Sequence, residues 1–194
     1  GTRVNDSTAA QHLADDNLDV LVPADPEQTK AAMEWAVKSG RPIYMRVGRY
    51  KVPSVTPSDR KEAFTFGKID VTGDGADVAL VATGTLVSRA LEAQELLKAE
   101  GIAARVLNVS TIKPLDAETI IKAAKETKGL VVAEEGVLDG GLGAAVATTL
   151  AENHPVRAKF LGVTGFAPTG SNEFLLEHFG LTANGIADAA RKLV

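Results

Sequence analysis

The chain has 194 residues, 45% of them hydrophobic and 24% charged, which is enough to build one large domain, or one domain and part of another. A net charge of −4 argues against nucleic acid as a partner, because phosphate backbones favour a basic protein face. The sequence has no apolar run long enough to span a membrane, no signal-peptide layout at its start and no cysteine for disulfides or thiolate sites, so we expect a cytoplasmic protein that binds neither nucleic acid nor membrane.

The first quarter of the chain predicts two strands and one helix. Residues 18–24 and 42–47 are short apolar runs typical of buried strands. Residues 26–39 between them predict a helix with Asp25 as its N-cap and Gly40 at its C-terminal end. Two strands and one helix are too few for a sheet covered on both faces. We therefore expect this block to be the tail of a larger domain.

Residues 51–75, rich in Pro, Ser, Thr, Gly and charge, predict a linker with a short extended segment over residues 64–69. From residue 77 onward, strands alternate with helices, as in a parallel α/β sheet. The predicted strands are 77–83, 104–109, 129–133 and 158–163, and the predicted helices are 87–100, 115–127, 143–152, 173–179 and 182–193. Residues 111–116 are predicted to end a strand and start a crossover. The expected fold is three-layer α/β/α, with a mainly parallel sheet and room for one antiparallel edge strand.

Several motifs occur together in an order that a known enzyme family shares. They are residues 20–26 (VLVPADP), 44–49 (YMRVGR), 66–68 (FGK), 75–84 (GADVALVATG), 111–116 (TIKPLD), 134–135 (EE) and 140–143 (GGLG). Through them, almost the whole chain resembles the C-terminal part of the transketolase family. The resemblance implies that residues 1–57 are a remnant of the pyrimidine-binding domain and residues 58–194 are the transketolase C-terminal domain, with the linker at about 51–75.

The resemblance also implies a reaction and a cofactor. Transketolases move two-carbon ketol units between sugar phosphates, and they bind thiamine diphosphate and magnesium between two domains at a dimer interface. The diphosphate-binding domain and the activating glutamate have no counterpart in this sequence. We therefore expect the chain alone to be inactive, to bind no cofactor and to serve mainly dimerisation and assembly. The expected partners are a second copy in a homodimer and a separate chain that carries the diphosphate-binding domain.

Three alternatives stay open at this point. The chain could belong to a β-type subunit of a 2-oxoacid dehydrogenase or to a deoxyxylulose-phosphate synthase, which share the C-terminal domain. It could also be a non-catalytic interaction module. Independently of the family, open α/β sheets often bind small ligands at the carboxyl ends of their strands.

Arg49 is the single substrate-binding residue that the resemblance assigns. It matches the arginine that contacts the phosphate of the sugar substrate in transketolases, and a forked guanidinium suits phosphate oxygens. The alternative is a solvated arginine after a strand. No catalytic residue, cofactor ligand or metal ligand is assigned to this chain. Two departures from the family are Arg3, where histidine is usual, and Gly136, where many members have histidine after the paired glutamates.

Two other motifs contain candidate site residues. Glu134 and Glu135 are adjacent at the end of a predicted strand, so their side chains should face opposite sides and at most one can lie in a cleft. Gly140, Gly141 and Gly143 precede a helix and could present N–H groups to an anion. Because no P-loop lysine or dinucleotide fingerprint accompanies them, a tight turn and close packing is the favoured interpretation.

Overall fold

Two β-sheets organise the chain in the computed structural model, which describes residues 17–57 and 62–194. Over these residues the elements are β1 (Asp19–Leu21), α1 (Pro26–Ser39), β2 (Ile43–Met45), β3 (Asp70–Thr72), β4 (Val78–Ala82), α2 (Leu86–Ala99), β5 (Ala104–Asn108), β6 (Thr111–Lys113), α3 (Ala117–Glu126), β7 (Leu130–Val137), α4 (Leu142–Asn153), β8 (Ala158–Val163), α5 (Asn172–His178) and α6 (Ala183–Arg191). The strand orders are β2-β1-β6 in one sheet and β3-β5-β4-β7-β8 in the other.

The five-stranded sheet is mainly parallel and is covered on both faces. β5, β4, β7 and β8 pair in parallel, and β3 pairs antiparallel with β5 at one edge. Leu80 of β4 packs with α2 and α6, whereas its neighbour Val81 packs on the opposite face with α3 and α4. This alternation follows from the two-residue period of a strand. The three-layer fold predicted from the sequence is confirmed.

The helix α1 has the predicted bounds and the predicted ends. The Asp25 carboxylate accepts the N–H of Gln28 at 2.8 Å, and Gly40 adopts the left-handed conformation with φ of 65°. None of the helices in the described part of the chain is long and apolar enough to cross a membrane.

Residues 64–69 do not form the extended segment predicted for the linker, because Phe64 and Phe66 pack against α1. The Phe66 ring stacks on the Trp35 ring of α1 with a centroid distance of 4.0 Å, and Phe64 is buried beside Leu21 and Ala32. The extended segment predicted at residues 64–69 is therefore wrong in position. The strand β3 forms directly after these residues, at Asp70–Thr72.

The first block of the chain, residues 17–57, completes its sheet with a strand from the second block, residues 62–194. Thr111–Lys113 forms β6, which ends at the predicted start of the crossover, Lys113-Pro114, and pairs antiparallel with β1. Beside this pairing, the N–H of Val22 donates to the carbonyl of Ser110 at 2.8 Å. Because β1 and β2 alone would leave one edge of β1 unpaired, β6 satisfies backbone groups that the first block cannot satisfy itself. Val20 and Val22 also share a core with α3 and α4.

Candidate functional site

A cleft of about 390 Å³ lies between the two sheets. Its walls come from the carboxyl ends of β1, β2 and β4 and from the end of β7, which is where open α/β sheets commonly bind ligands. The lining residues are 22–23, 44–53, 84–86, 88–89, 135, 172 and 176. The cleft therefore combines residues from the first block with residues from the five-stranded sheet.

Residues 46–56 follow β2, and residues 46–53 of this segment form one wall of the cleft. Asp25 fixes the C-terminal end of this segment. The other carboxylate oxygen of this buried residue accepts the N–H groups of Val55 and Thr56 at 2.8 and 2.6 Å. Burial raises the pKa of Asp25, but the hydrogen bonds from Gln28, Thr56 and Val55 outweigh it and hold the pKa below its usual value. The ionised carboxylate thus joins the start of α1 to residues 55–56.

Arg46 fixes the other end of the same segment. Its N–H donates to the carbonyl of Leu21 at 2.9 Å. Its guanidinium, half-buried, donates through Nη1 to the carbonyl of Glu135 at 3.0 Å. One residue therefore contacts both β1 and the end of β7.

The paired glutamates face opposite sides, as predicted from strand geometry. Glu134 is buried and accepts the N–H groups of Leu142 and Gly143, at 2.9 and 2.7 Å, at the start of α4. Burial raises the pKa of Glu134, and these two N–H bonds and the charge of Arg46 only partly oppose the rise. Glu135 lines the cleft instead, and its carboxylate accepts the hydroxyl of Thr85 at 2.6 Å.

The glycines before α4 form a tight turn around Glu134. Gly140 has φ of 85°, a conformation that glycine adopts without strain. A Cβ on Gly141 would overlap the Glu134 carboxylate, and a Cβ on Gly143 would come within 3.3 Å of Glu134 and of Phe160. The interpretation as a close-packed turn is confirmed, since the N–H groups of Leu142 and Gly143 bind this protein carboxylate.

Arg49 lies on the cleft wall with its side chain exposed. Within residues 17–57 and 62–194, no carboxylate or other group forms a hydrogen bond or ion pair with it. Lys51 lies on the same wall, and Arg46 and Arg89 complete a set of four cationic side chains, of which Arg89 also pairs with Glu92 at 3.2 Å. Glu135 is the one carboxylate among the lining residues, and Thr85 already occupies one of its oxygens. The cleft therefore suits an anionic ligand.

The acidic and histidine side chains of the described residues do not form a metal-ligand cluster. Among residues 17–57 and 62–194, no group of three or more His, Asp or Glu side chains is arranged to hold a metal ion. Glu134, a buried acid near the cleft, is already bound to the start of α4. Arg3, where the family usually has histidine, lies outside the described residues. At Gly136, the other departure, a Cβ would lie 3.5 Å from both the Arg46 guanidinium and the Glu134 carboxylate, so a larger side chain would have to fit between these two groups.

The local sequence does not predict that Arg46 and Thr85 both form hydrogen bonds with Glu135. The two arginines in YMRVGR, so close to a strand end, are a signal for an anion site. The acceptor for Arg46, however, is 89 positions away in the chain, and nothing in a local pattern predicts that contact. Thr85 contacts Glu135 across 50 positions, so its role is equally absent from the local sequence.

Comparison with known proteins gives one consistent family. The model of the family described as "Transketolase, C-terminal domain" matches residues 67–186. The chain is 40% identical over 177 residues to the 6-deoxy-6-sulfo-D-fructose transketolase subunit SqwH of Clostridium sp. (strain MSTE9), covering 91% of this chain and 54% of the relative. It is 39% identical over 178 residues to an apulose-4-phosphate transketolase subunit of Phocaeicola vulgatus, covering 91% of this chain and 56% of the relative. The chain thus spans about half the length of these curated relatives.

Solved structures give the same result. A structure described as "Split gene transketolase, inactive beta4 tetramer" superposes with a TM-score of 0.92 at 39% identity, covering 96% of this chain and 61% of the other. The transketolase of Pichia stipitis in complex with sedoheptulose 7-phosphate superposes with a TM-score of 0.76 at 25% identity, covering 96% of this chain and 26% of the other.

Proposed function

Because this chain belongs to the transketolase family through its C-terminal domain, we propose that it is the C-terminal subunit of a split, thiamine-diphosphate-dependent transketolase. The complete enzyme transfers two-carbon ketol units between sugar phosphates of the kind found in the pentose phosphate pathway. Two relatives of similar sequence are named as separate transketolase subunits, and a structure of similar fold is described as a split-gene transketolase. We also propose a cytoplasmic location.

We propose the same division of the chain that the resemblance implies. Residues 1–57 end the pyrimidine-binding domain, residues 58–194 form the C-terminal domain, and the linker lies at about 51–75. The family match at residues 67–186 supports a boundary before residue 67. β1 and β2 lie outside the five-stranded sheet, which supports the division as well, although β6 from residues 111–113 completes their sheet.

The proposed partners follow from the part that this chain contributes. A separate chain carrying the diphosphate-binding domain would supply the ligands for thiamine diphosphate and magnesium, which is supported by relatives named as transketolase subunits. When bound, the cofactor supplies the carbanion chemistry of ketol transfer. A second copy of this chain completes a homodimer or a larger assembly, an expectation supported by the tetramer of β chains in the similar structure.

The role we propose for Arg49 is to bind the phosphate of the sugar substrate. The observation that carries this role is an exposed arginine in a cleft with four cationic side chains and one carboxylate. An arginine can donate two parallel charge-assisted hydrogen bonds to a phosphate group. Arg49 would thereby hold the phosphate end of the substrate and orient the rest of the molecule toward the cofactor.

The test is the Arg49→Gln variant, assayed after assembly with the complementary chain. Loss of the charged contact should raise KM for a phosphorylated aldose acceptor about 10- to 100-fold, because a hydrogen bond to a charged group contributes about 1.5–3 kcal/mol. A non-phosphorylated aldehyde acceptor should lose no affinity. Lys38→Gln, which removes the same charge from an exposed site outside the cleft, is the matched control. Equal KM values for Arg49→Gln and Lys38→Gln would refute the role.

A 1-deoxy-D-xylulose-5-phosphate synthase is the second candidate. The synthase of Heliobacterium modesticaldum is 36% identical over 178 residues, covering 91% of this chain and 28% of that protein. The choice of donor separates the two reactions. A transketolase uses a ketose phosphate, whereas the synthase decarboxylates pyruvate, so release of carbon dioxide from pyruvate by the assembled enzyme would favour the synthase.

A further inference from the structure

The segment that carries Arg49 lines two cavities. Residues 47–53 line the cleft, and residues 47, 48 and 50–52 also line a second cavity of about 620 Å³. Residues 47–51 are exposed, so burial contributes little to their position and the contacts at the two ends of the segment gain importance. Those contacts are made by Arg46 at one end and by the Asp25 bonds to residues 55–56 at the other.

The Arg46 guanidinium lies beside one carbonyl acceptor and two residues without side chains. Nη1 donates to the carbonyl of Glu135, and two glycines stand next to the guanidinium. A Cβ on Gly136 would lie 3.5 Å from Nη1, and a Cβ on Gly84 would lie 3.9 Å from Nη2. Gly84 also has φ of 58°, and its Cβ would come within 2.8 Å of Val22. Larger side chains at these two positions would therefore crowd the guanidinium or separate the two sheets.

We infer that Arg46 is a positioning residue, whose contact with the Glu135 carbonyl holds the Arg49 segment in place for the substrate phosphate; this inference rests on the proposed function. It gives the five-stranded sheet a part in substrate binding, because the acceptor belongs to β7. A second contact supports the same wall, since Thr85 holds the Glu135 side chain and a Cβ on Gly48 would lie 3.0 Å from the Thr85 methyl group.

The experiment compares Arg46→Lys, Arg46→Met and Arg49→Gln in the assembled enzyme, with Lys38→Gln as the control. Lysine keeps the charge of Arg46 but not the planar fork, so both Arg46 variants should displace the segment. We expect KM for the phosphorylated acceptor to rise about tenfold, which equals about 1.4 kcal/mol. Values of kcat, and of kcat/KM for a non-phosphorylated aldehyde, should stay within about twofold of the parent enzyme, a split that general damage to the fold would not produce.

Gly136→His tests the contact between Arg46 and the Glu135 carbonyl by changing a residue of β7 instead of Arg46. The Cβ would lie 3.5 Å from the guanidinium and 3.5 Å from the Glu134 carboxylate, so the larger ring beyond it should crowd the guanidinium and raise KM without changing any residue of the Arg49 segment. Hydrogen–deuterium exchange of residues 47–53 in this chain gives a readout that is independent of activity. Arg46→Met should speed exchange in that segment and leave α4 unchanged, and Gly136→His should speed exchange in the same segment.

The outcomes separate the inference from the proposed function. If Arg49→Gln raises KM for the phosphorylated acceptor while both Arg46 variants and Gly136→His do not, the inference is overturned and the phosphate role of Arg49 stands. If Arg49→Gln has no effect either, both are overturned. Unchanged exchange of residues 47–53 in Arg46→Met would also overturn the inference, whatever the kinetics.

Discussion

At the scale of single residues, one buried carboxylate connects two parts of the chain that are far apart in sequence. Asp25 caps α1 through Gln28 and holds residues 55–56, which lie beyond the candidate phosphate segment. The cap could be predicted from the sequence, because Asp before Pro at a helix start is a local signal. The bonds to Val55 and Thr56 could not, since their donors lie 30 and 31 positions away and follow only from the folded arrangement.

We predict that Asp25→Asn destabilises the chain by about 1–3 kcal/mol at pH 7, because charged hydrogen bonds of this kind contribute about that much. The pKa of Asp25 is lower in the folded chain than in the unfolded chain, so the ionised carboxylate stabilises the fold at neutral pH. This contribution is lost as the pH falls through the folded-state pKa. Urea unfolding should therefore show the difference between the parent and Asp25→Asn shrinking below a pH of about 4.

Asp139→Asn is the matched control for this prediction. It makes the same change of charge at an exposed position, and it should alter the free energy of unfolding by no more than about 0.5 kcal/mol. A difference between the parent and Asp25→Asn that is independent of pH would contradict the role of the charged carboxylate.

At the scale of elements, local patterns predict the strands and helices of the second block well, because burial on both faces gives continuous apolar runs. They do not predict β6. Thr111–Lys113 is too short to stand out, and it becomes a strand only because β1 offers an unpaired edge. The local patterns also do not predict the position of β3. Phe64 and Phe66 pack against α1 instead of joining the sheet, so the strand begins only at Asp70.

The start of α4 provides the test at this scale. We predict that Gly141→Ala destabilises the chain by about 1–3 kcal/mol, because the added Cβ would overlap the Glu134 carboxylate that binds the first turn of the helix. Gly165→Ala is the control, since nothing lies within 4 Å of a Cβ there, and it should change the stability by no more than about 0.5 kcal/mol. Thermal unfolding of the two variants measures the difference, and equal melting temperatures would show that the turn tolerates a side chain.

At the scale of the whole molecule, the described part of the chain has two sheets. The small sheet contains β1 and β2 from the first block and β6 from the second block, and it lies beside the α/β/α domain built on the five-stranded sheet. The cleft between them uses side chains from both, so Arg49 and the end of β7 belong to one site. The family resemblance proposes Arg49 from the sequence as a phosphate-binding residue, and this role stays a prediction. The cleft itself could not be predicted, because its geometry depends on the contacts of Arg46, Thr85 and Asp25 across 30 or more positions of the folded chain.

We propose that the whole molecule is one part of a divided thiamine-diphosphate enzyme. The direct measurement mixes the purified chain with a complementary chain that carries the diphosphate-binding domain, in the presence of thiamine diphosphate and magnesium. We predict that neither chain alone transfers a ketol unit, that the chain alone binds no cofactor by calorimetry, and that the mixture forms a complex that transfers two-carbon units between sugar phosphates. Ketol transfer by this chain alone, or a stable complex that binds the cofactor and transfers nothing, would contradict the account.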